Sequence, residues 1–548
     1  MAFTVHLTDH DEKRIAGLLA EVWSSGGSPY QTAVMGRVNP LGEEGTILQN
    51  DEACAHLAGL IARLEREGEE LSHDLSSAQW LYLLRRIPVE QVAGKHLTTG
   101  PNRLAAAEVL SGRSAKTVDL LQNSDLVSFE ITTDTIQVLV RLLTTASVAV
   151  TYQAMYRMCA KGASLRLSGG GQHTVLTGED IARASELYDS RIGAPTAEET
   201  VFTQTGARLM VRAGNVTRDD IVLGATRLHR QDRLDLDADL VREPLRLPPM
   251  VTNVTVDTYF GPLLLQLRAL RDFQERTPEG ETWWGVELSA LLACMRAAIT
   301  TLESHVSVLR YGYALYERRT FIENFDASFQ EIAAVSNPDG ALRALFGLSG
   351  SLWPLIPGPV IRVAGNSLYV DLVSATSNLQ RLTTIARRGG KLANVRADRF
   401  EHDVQDVIDV SPWRPGPALR SLRGRSLRLR GRPVTDLDAV GERDGVLLAI
   451  SAKSVPYTPE YDMGEHAAVR NLADRCERFV AEWDKRIETL ASDRLGQNYD
   501  LSAYRELLGV VCLPFAPYCH IGGATREIRP GLRAVCSLPE MAEWLAKP

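Results

Sequence analysis

The sequence has few cysteines, and none of them are arranged as a metal-binding pair. Its seven cysteines are scattered singly along 548 residues. An odd number without a Cys-x-x-Cys pair argues against a zinc ribbon and against a disulfide framework. The small group Cys512, Cys519 and His520 lacks the remaining ligand of a structural zinc site. We therefore expect a reducing, cytoplasmic setting.

Long uncharged apolar runs are also missing. Residues 135–155 contain Arg141, and the apolar run 261–271 is short and ends in basic residues. Neither reaches the stretch of about 18 uncharged apolar residues that a membrane helix needs. The N-terminal residues lack the basic and apolar pattern of a signal peptide. We therefore expect no membrane span and no secretion.

Charge of one sign is not in large excess. The 60 Lys and Arg residues stand against 68 Asp and Glu residues, which gives a net charge of -8. With 45% hydrophobic and 23% charged residues, the composition is that of a globular protein rather than a collagen-like or disordered chain. Bulk charge therefore does not predict a DNA-coating protein, although a local basic patch remains compatible with it.

Two segments approach known ligand-binding motifs without completing them. The run Ser168–Gly171 lacks the Gly-Lys-Ser/Thr ending of a P-loop, so we interpret it as the turn of a hairpin over 164–176. The acids from Asp235 onward have the spacing of a calcium loop, but Leu240 and Arg246 replace its glycine and glutamate. We interpret that segment as a solvated linker.

Apolar residues at helical spacing predict a mainly helical region over residues 1–355, possibly of two subdomains with a break near 230–250. This region is expected to bind a protein partner, to regulate or to self-associate. A proline-rich change near residue 354 introduces a predicted hairpin and helix connector over 356–390. An α/β domain is predicted over 391–548. The helices of the first region are predicted over 11–23, 51–71, 102–122 and 178–189 and within the run 283–319.

The C-terminal domain contains the strongest chemical signal, in the segment 433–454. It predicts a first strand over 434–440, a turn over Gly441–Gly445 and a second strand that ends at Lys453. The second strand is almost wholly apolar, so both of its faces should be buried. A lysine at the end of a buried strand needs a reason, because desolvation of an ammonium group is costly.

The position of Asp438 relative to this lysine depends on the length of the turn. Side chains alternate along a strand, so Ser451 and Lys453 share one face. A four-residue loop would put Asp438 on that face as well, whereas a five-residue loop would put it on the opposite one. The sequence leaves both possibilities open.

These residues resemble the PD-(D/E)xK nuclease superfamily, which has the restriction-endonuclease-like fold. Glu401 lies in a predicted helix that precedes the hairpin, and Asp438 lies on its first strand. Ser451-Ala452-Lys453 stands where the family has Glu-x-Lys, 13 residues after Asp438. A helix over 465–490, a strand over 506–515 and a strand and helix over 532–547 follow in the family's order. The resemblance covers about 160 residues and implies an α+β protein whose C-terminal α/β domain has a mixed central sheet.

The resemblance implies hydrolysis of phosphodiester bonds, with DNA as the expected substrate, and a setting such as bacterial restriction or anti-phage defence. It assigns the catalytic site to Glu401, Asp438, Ser451 and Lys453. Mg²⁺ or Mn²⁺ would be held by Asp438, Glu401 and the backbone carbonyl of Ala452. Lys453 would orient a water molecule and neutralise developing negative charge.

Ser451 departs from the family pattern, which has an acid or a glutamine at this position. A serine hydroxyl is a poor ligand for Mg²⁺, and Asp436 is a spare carboxylate nearby. The alternatives are therefore a catalytically inactive nuclease-like domain that binds nucleic acid or acts as a scaffold, and a helical interaction protein with an unrelated α/β domain.

An arginine-rich run adjoins the predicted site. Seven arginines fall within residues 414–432, and no acid occurs over 412–435. The alternation from Arg423 to Arg432 suggests one strand with a basic face, which could follow a phosphate backbone. A solvated edge strand is the alternative. The residues predicted to contact nucleic acid are Arg420, Arg423, Arg425, Arg428, Arg430 and Arg432.

Overall fold

In the computed structural model the chain forms two compact units. One unit comprises residues 1–159, 164–175 and 202–385, and the other comprises residues 160–163, 176–201 and 386–548. The structure describes residues 2–7, 11–38, 44–87, 100–112, 128–192, 233–237, 253–257, 286–301, 313–332, 345, 350–352, 355–356, 358–364, 366–371, 374–375, 378, 390–456, 458–462, 464–520 and 522–547.

The described helices form where apolar residues recur at helical spacing, as in Asn50–Leu71, which buries Leu57, Leu60, Ile61 and Leu64. In chain order they are Glu12–Val38 (α1), Asn50–Leu71 (α2), Ser77–Leu84 (α3), Gly100–Gly112 (α4), Thr133–Ala160 (α5), Glu179–Ile192 (α6), Val286–Thr301 (α7), Arg318–Ile332 (α8), Gly390–Asp409 (α9), Pro417–Arg420 (α10), Pro459–Asp462 (α11), His466–Ser492 (α12) and Leu538–Leu545 (α13).

The described strands are short and belong to several small sheets, so the protein is a mixed α+β protein, as predicted. In chain order they are Phe3–His6 (β1), Ile47–Leu48 (β2), Ser128–Ile131 (β3), Ser164–Arg166 (β4), Thr174–Leu176 (β5), Arg233–Asp237 (β6), Asn253–Asp257 (β7), Tyr313–Glu317 (β8), Ser351–Leu352 (β9), Leu355–Ile356 (β10), Ile361–Ala364 (β11), Ser367–Asp371 (β12), Leu427–Leu429 (β13), Arg432–Thr435 (β14), Ala439–Arg443 (β15), Val446–Ala452 (β16), Glu506–Leu513 (β17), Glu527–Arg529 (β18), Leu532–Arg533 (β19) and Val535–Ser537 (β20).

In the first unit, a buried ionic network centres on Asp371 at the end of β12. Arg85 lies 3.3 Å and Arg362 lies 3.1 Å from its carboxylate, and the Ser374 hydroxyl donates to it at 2.7 Å. Burial alone would raise the pKa of Asp371, but the two guanidinium groups hold it below its usual value. The network satisfies a carboxylate that is fully removed from solvent.

The second unit is built around a four-stranded mixed sheet in the order β15-β16-β17-β20. β15 and β16 are antiparallel, whereas β16, β17 and β20 run parallel. Every residue of β16 is buried, which confirms that both faces of this apolar strand are covered. On one face lies a core that includes Leu472, Val480 and Trp483 of α12, and on the other lies a core that includes α9 and α13 residues.

Several predicted elements are confirmed and others are wrong. α1 and α2 confirm the helices over 11–23 and 51–71, and α12 confirms the helix over 465–490. The helix predicted after residue 112 and the connector helix after residue 378 lie outside the described residues. The hairpin over 164–176 is confirmed by the neighbouring strands β4 and β5.

Two corrections concern the first unit. The helical run predicted over 283–319 contains α7 but then strand β8, which pairs with β12. Tyr313 of β8 stacks on Tyr369 of β12 at a centroid distance of 4.0 Å. The solvated linker predicted from Asp235 onward is wrong over the end of β6, which pairs with β7 and alternates apolar and charged residues as a strand does.

One described helix, α5, is long and apolar enough to cross a membrane by length and composition. Of its apolar window, 61% is buried inside the protein, as in a core helix.

Candidate active site

A two-residue turn sets the register of the β15–β16 hairpin. Asp444 and Gly445 have φ angles of 50° and 72°, as both central residues of a type I′ turn require. The predicted loop of four or five residues is therefore wrong. Ala439 pairs with Ile450, so Asp438 stands opposite Ser451 at the open end of the hairpin and on the same face. The first strand predicted over 434–440 is also wrong, because β14 ends at Thr435 in a separate hairpin.

The carboxylate of Asp438 is held at the end of β16. Its Oδ2 accepts a hydrogen bond from the Ala452 backbone N–H at 2.7 Å and lies 3.5 Å from the Ser451 hydroxyl. The Lys453 ammonium is 3.8 Å from the same oxygen. Burial raises the pKa of Asp438, although Lys453 and the Ala452 N–H act in the opposite direction. Three of the predicted residues therefore meet at one carboxylate.

Lys453 follows the last residue of β16 and remains accessible. Its backbone N–H donates to the Cys512 carbonyl of β17 at 2.9 Å, which extends the parallel pairing by one residue. Its side chain is 36% exposed, against 12% for Asp438. The next residue, Ser454, accepts hydrogen bonds from the Arg396 guanidinium at its hydroxyl and carbonyl, both at 3.0 Å. Lys453 therefore offers a positive charge to solvent from an anchored backbone.

Glu401 lies on α9, and its carboxylate interacts electrostatically with that of Asp438. Its side chain is half-buried, while Phe400, Val404 and Ile408 of the same helix pack into the core. Burial raises the pKa of Glu401, and the charge of Asp438 raises it further. Among the described residues, none donates a hydrogen bond to the Glu401 carboxylate. The nearby carboxylate of Asp436 is exposed. Its charge raises the pKa of Glu401 and of Asp438, but less than burial does.

Gln405 links the helix of Glu401 to the strand that follows Asp438. Its Oε1 accepts from the Val440 N–H at 2.9 Å, and its Nε2 donates to the Val440 carbonyl at 3.0 Å. The side chain is fully buried. The sequence did contain a signal for this residue, because a polar side chain one position from Val404 and three from Ile408 falls on the core face of the helix.

The structure separates the arginine-rich run into three groups. Arg423 is next to the site, where its Nε donates to the Asp438 carbonyl at 2.9 Å and its charge lowers the pKa of Glu401. Arg420 forms an ion pair with Asp409, and Arg425 is exposed. The single strand predicted from Arg423 to Arg432 is wrong, because Arg428, Arg430 and Arg432 lie on the hairpin of β13 and β14. That hairpin turns at Arg430 and Gly431, which have φ angles of 50° and 81°.

The donor set at Asp438 fits some metal ions and not others. Across the part of the chain that the structure describes, no group of three or more His, Cys, Asp or Glu side chains is arranged to hold a metal, and this includes Cys512, Cys519 and His520. Zn²⁺ and Ca²⁺ sites need such a cage. Mg²⁺ keeps several waters and is commonly held by one or two carboxylates together with substrate phosphates. Asp438 and Glu401 are compatible with that arrangement. The hydrogen bonds that described residues donate to the Asp438 carboxylate all reach Oδ2.

Comparison of the chain with protein-family models, with curated proteins and with solved structures finds no match. The function of the site must therefore be argued from the chemistry of Asp438, Lys453 and Glu401 themselves.

Proposed function

We propose that the C-terminal unit is a Mg²⁺- or Mn²⁺-dependent nuclease of the restriction-endonuclease-like fold and that it hydrolyses phosphodiester bonds in DNA. The observation that supports the proposal is the meeting of Asp438, Ala452 and Lys453 at the end of a buried strand, with Glu401 on the adjoining helix. A mixed sheet with its acid and lysine at one open end is the arrangement that the sequence resemblance implies.

In this proposal Asp438, Glu401 and the backbone carbonyl of Ala452 hold the metal ion. When bound, the ion would supply polarisation of the phosphate and a lower pKa for a coordinated water. Lys453 places a positive charge beside Asp438, where it can stabilise negative charge that develops on the phosphate oxygens. Glu401 would complete the ligand set of the ion, directly or through a coordinated water, from the neighbouring helix α9.

We further propose that the helical region before residue 356 provides recognition, through a protein partner or self-association, and that the protein acts in the cytoplasm. Restriction or anti-phage defence is the biological setting that this combination suggests by analogy.

A second candidate function is favoured by Ser451. This residue is 3% exposed and lies 3.5 Å from the Asp438 carboxylate, where the nucleases that the sequence resembles have an acid or an amide. A hydroxyl contributes little to Mg²⁺ binding. The second candidate is therefore a nuclease-like domain that binds nucleic acid without cutting it.

The test is cleavage of supercoiled plasmid and single-stranded DNA with Mg²⁺ or Mn²⁺. The proposal expects cleavage by the wild type and a loss of at least about 100-fold in Asp438→Asn and Lys453→Gln, the magnitude for removal of a group that stabilises developing charge. Lys547→Gln, at an exposed lysine, serves as the matched control. Equal cleavage by all four proteins would identify a contaminant and overturn the proposal. DNA binding without cleavage would favour the second candidate.

Metal binding can be tested without activity. Mg²⁺ should raise the thermal midpoint of the wild type and leave that of Asp438→Asn nearly unchanged, because a ligand stabilises only the state that binds it. At a concentration 100 times the dissociation constant, the gain would be about 2.7 kcal/mol. An equal rise in both proteins would place the metal elsewhere.

A further inference from the structure

A basic groove lies on the second unit between the β13–β14 hairpin and α12. Its volume is about 600 Å³. Four of its lining residues are cations, namely Arg430 and Arg432 from the hairpin and Lys485 and Arg486 from the helix, and none of the lining residues that the structure describes is an acid. Apolar hairpin residues form part of its wall. A groove with this lining is suited to an anionic ligand.

The cations of the groove are weakly neutralised compared with other arginines of the same unit. Arg430 is 83% exposed, and its ion pair with Asp493 is long at 3.7 Å. Arg432 and Lys485 are exposed and form no ion pair with any acid that the structure describes. Arg526, by contrast, binds both carboxylate oxygens of Asp484, at 2.8 and 2.7 Å. The charge of the groove therefore remains available to a ligand.

The tip of the hairpin holds Arg430 in a conformation that few arginines adopt. Its φ of 50° lies in the left-handed region, where Asn, Asp and Gly are favoured. The corresponding turn of the neighbouring hairpin has Asp444 at the equivalent position. Strained residues of this kind are concentrated at functional sites, where binding rather than folding selects the side chain.

The hairpin is also fixed in place. The Arg428 carbonyl accepts from the Gln497 N–H at 2.9 Å, and the Gln497 side chain accepts from the Gly431 N–H at 3.2 Å. Asn498 accepts from the Arg428 N–H at 2.8 Å and donates to the Ser426 carbonyl at 2.9 Å. These bonds anchor the backbone of the hairpin to the loop that follows α12.

The groove is within reach of DNA bound at the proposed active site. Arg432 precedes Asp438 by six positions, so their backbones are at most about 22 Å apart. One strand of a duplex advances roughly 3.4 Å per base pair, so the separation corresponds to at most about six base pairs. A duplex held at Asp438 could therefore place its flanking phosphates in the groove.

We propose that this groove binds the phosphate backbone of DNA on one side of the cleavage position. The choice of DNA as the ligand rests on the proposed nuclease function. The groove adds a second region of DNA contact, apart from the active site, to which α12 contributes. Lys485 and Arg486 were not predicted from the arginine-rich run, because they lie more than 50 residues later in the chain.

The test is the binding of a fluorescent 30-base-pair duplex in EDTA, where no metal-dependent cleavage can occur. The groove variant is Arg432→Gln with Lys485→Gln. Its matched control is Arg505→Gln with Lys547→Gln, which also removes one exposed arginine and one exposed lysine. Each lost phosphate contact should reduce the slope of log K against log salt by about 0.9. The groove variant should therefore lose about 1.8 in slope and at least about tenfold in affinity near 0.1 M salt, while the control keeps the wild-type slope.

The outcomes separate this inference from the nuclease proposal. Equal slopes for the groove variant and the control would overturn the inference, even if the wild type cleaves DNA. A reduced slope in the groove variant alone would support it, even if the wild type proves unable to cut. Failure of the wild type to bind the duplex would overturn it as well.

Discussion

The side-chain amide of Gln405 hydrogen-bonds both backbone groups of Val440, its Oε1 accepting at 2.9 Å and its Nε2 donating at 3.0 Å. β15 is an edge strand of the central sheet, so these outward-facing groups have no neighbouring strand. The Gln405 side chain makes the two hydrogen bonds that a neighbouring strand would otherwise make to Val440. Because Glu401 is one helical turn earlier and Asp438 is two residues before Val440, the same contact fixes the two carboxylates relative to one another.

Gln405→Leu should destabilise the protein and impair the proposed activity. The variant leaves the buried N–H and carbonyl of Val440 without a partner, at about 1–3 kcal/mol each. We expect the free energy of unfolding, measured by urea titration, to fall by about 2–6 kcal/mol. Gln405→Glu would place a buried carboxylate beside the Val440 carbonyl and the Asp409 carboxylate, both of which accept from Nε2 at 3.0 Å, so it should also destabilise the protein at neutral pH. A leucine variant as stable as the wild type would contradict this account.

Glu401→Gln should stabilise the protein at neutral pH. Burial and the charge of Asp438 raise the pKa of Glu401, so its ionised form opposes folding. Below the unfolded-state pKa of roughly 4.3, Glu401 is protonated in both states and the two proteins should be equally stable. The difference should grow as pH rises through the raised folded-state pKa and then remain constant, at no more than about 1 kcal/mol for a half-exposed group.

Denaturant titrations from pH 4 to pH 8 would measure this dependence. Glu482→Gln, at an exposed glutamate of α12, is the control and should show no comparable gain. A stability difference for Glu401→Gln that is the same at all pH values would refute the electrostatic explanation.

Ser451→Asp should distinguish a metal site from a site without metal. The new carboxylate would be buried near Asp438, so without divalent ions the free energy of unfolding should fall by about 1–3 kcal/mol. Mg²⁺ should recover much of that loss and bind more tightly than to the wild type, because it gains a carboxylate ligand. Ser451→Asn has similar size without the charge. If Mg²⁺ affects the two variants alike in calorimetry, the site does not hold the ion.

Arg430→Asn should raise the stability of the protein and lower its affinity for DNA. Asparagine is favoured at the first central position of a type I′ turn, so the free energy of unfolding should rise by about 0.5–1 kcal/mol. The same change removes a cation from the basic groove, so DNA affinity should fall. Thermal denaturation and duplex binding, measured on one preparation, would check both effects. A variant that is neither more stable nor weaker in binding would argue against a functional reason for arginine here.

The secondary structure around the site was largely readable from the sequence. Local sequence pattern predicts which residues of three elements are buried. These elements are the amphipathic helix α9, the apolar strand β16 and the long amphipathic helix α12. The turn was readable too, since Asp444-Gly445 is a strong type I′ signal. It was missed because Gly441 suggested an earlier turn. Gly441 instead lies within β15, where a Cβ would come within 2.9 Å of the Trp413 carbonyl oxygen.

Contacts between elements that are distant in the chain could not be predicted from the sequence. The pairing of Gln405 with Val440 depends on how α9 docks against the edge of the sheet, and no local pattern specifies that docking. The approach of α12 to the hairpin likewise joins residues distant in the chain. Arg430 contradicts the residue preference of its own turn, so propensity predicted a continuous strand there.

Burial of all seven cysteines gives the molecule an internal chemical reporter. Thiol reagents should react slowly with the native protein and rapidly wherever it opens, since a buried sulfhydryl must be exposed before it can be alkylated. Cys54, Cys159 and Cys294 belong to one compact unit, and Cys476, Cys512, Cys519 and Cys536 belong to the other. Mass spectrometry of alkylated peptides would therefore follow the opening of the two units separately within a single sample.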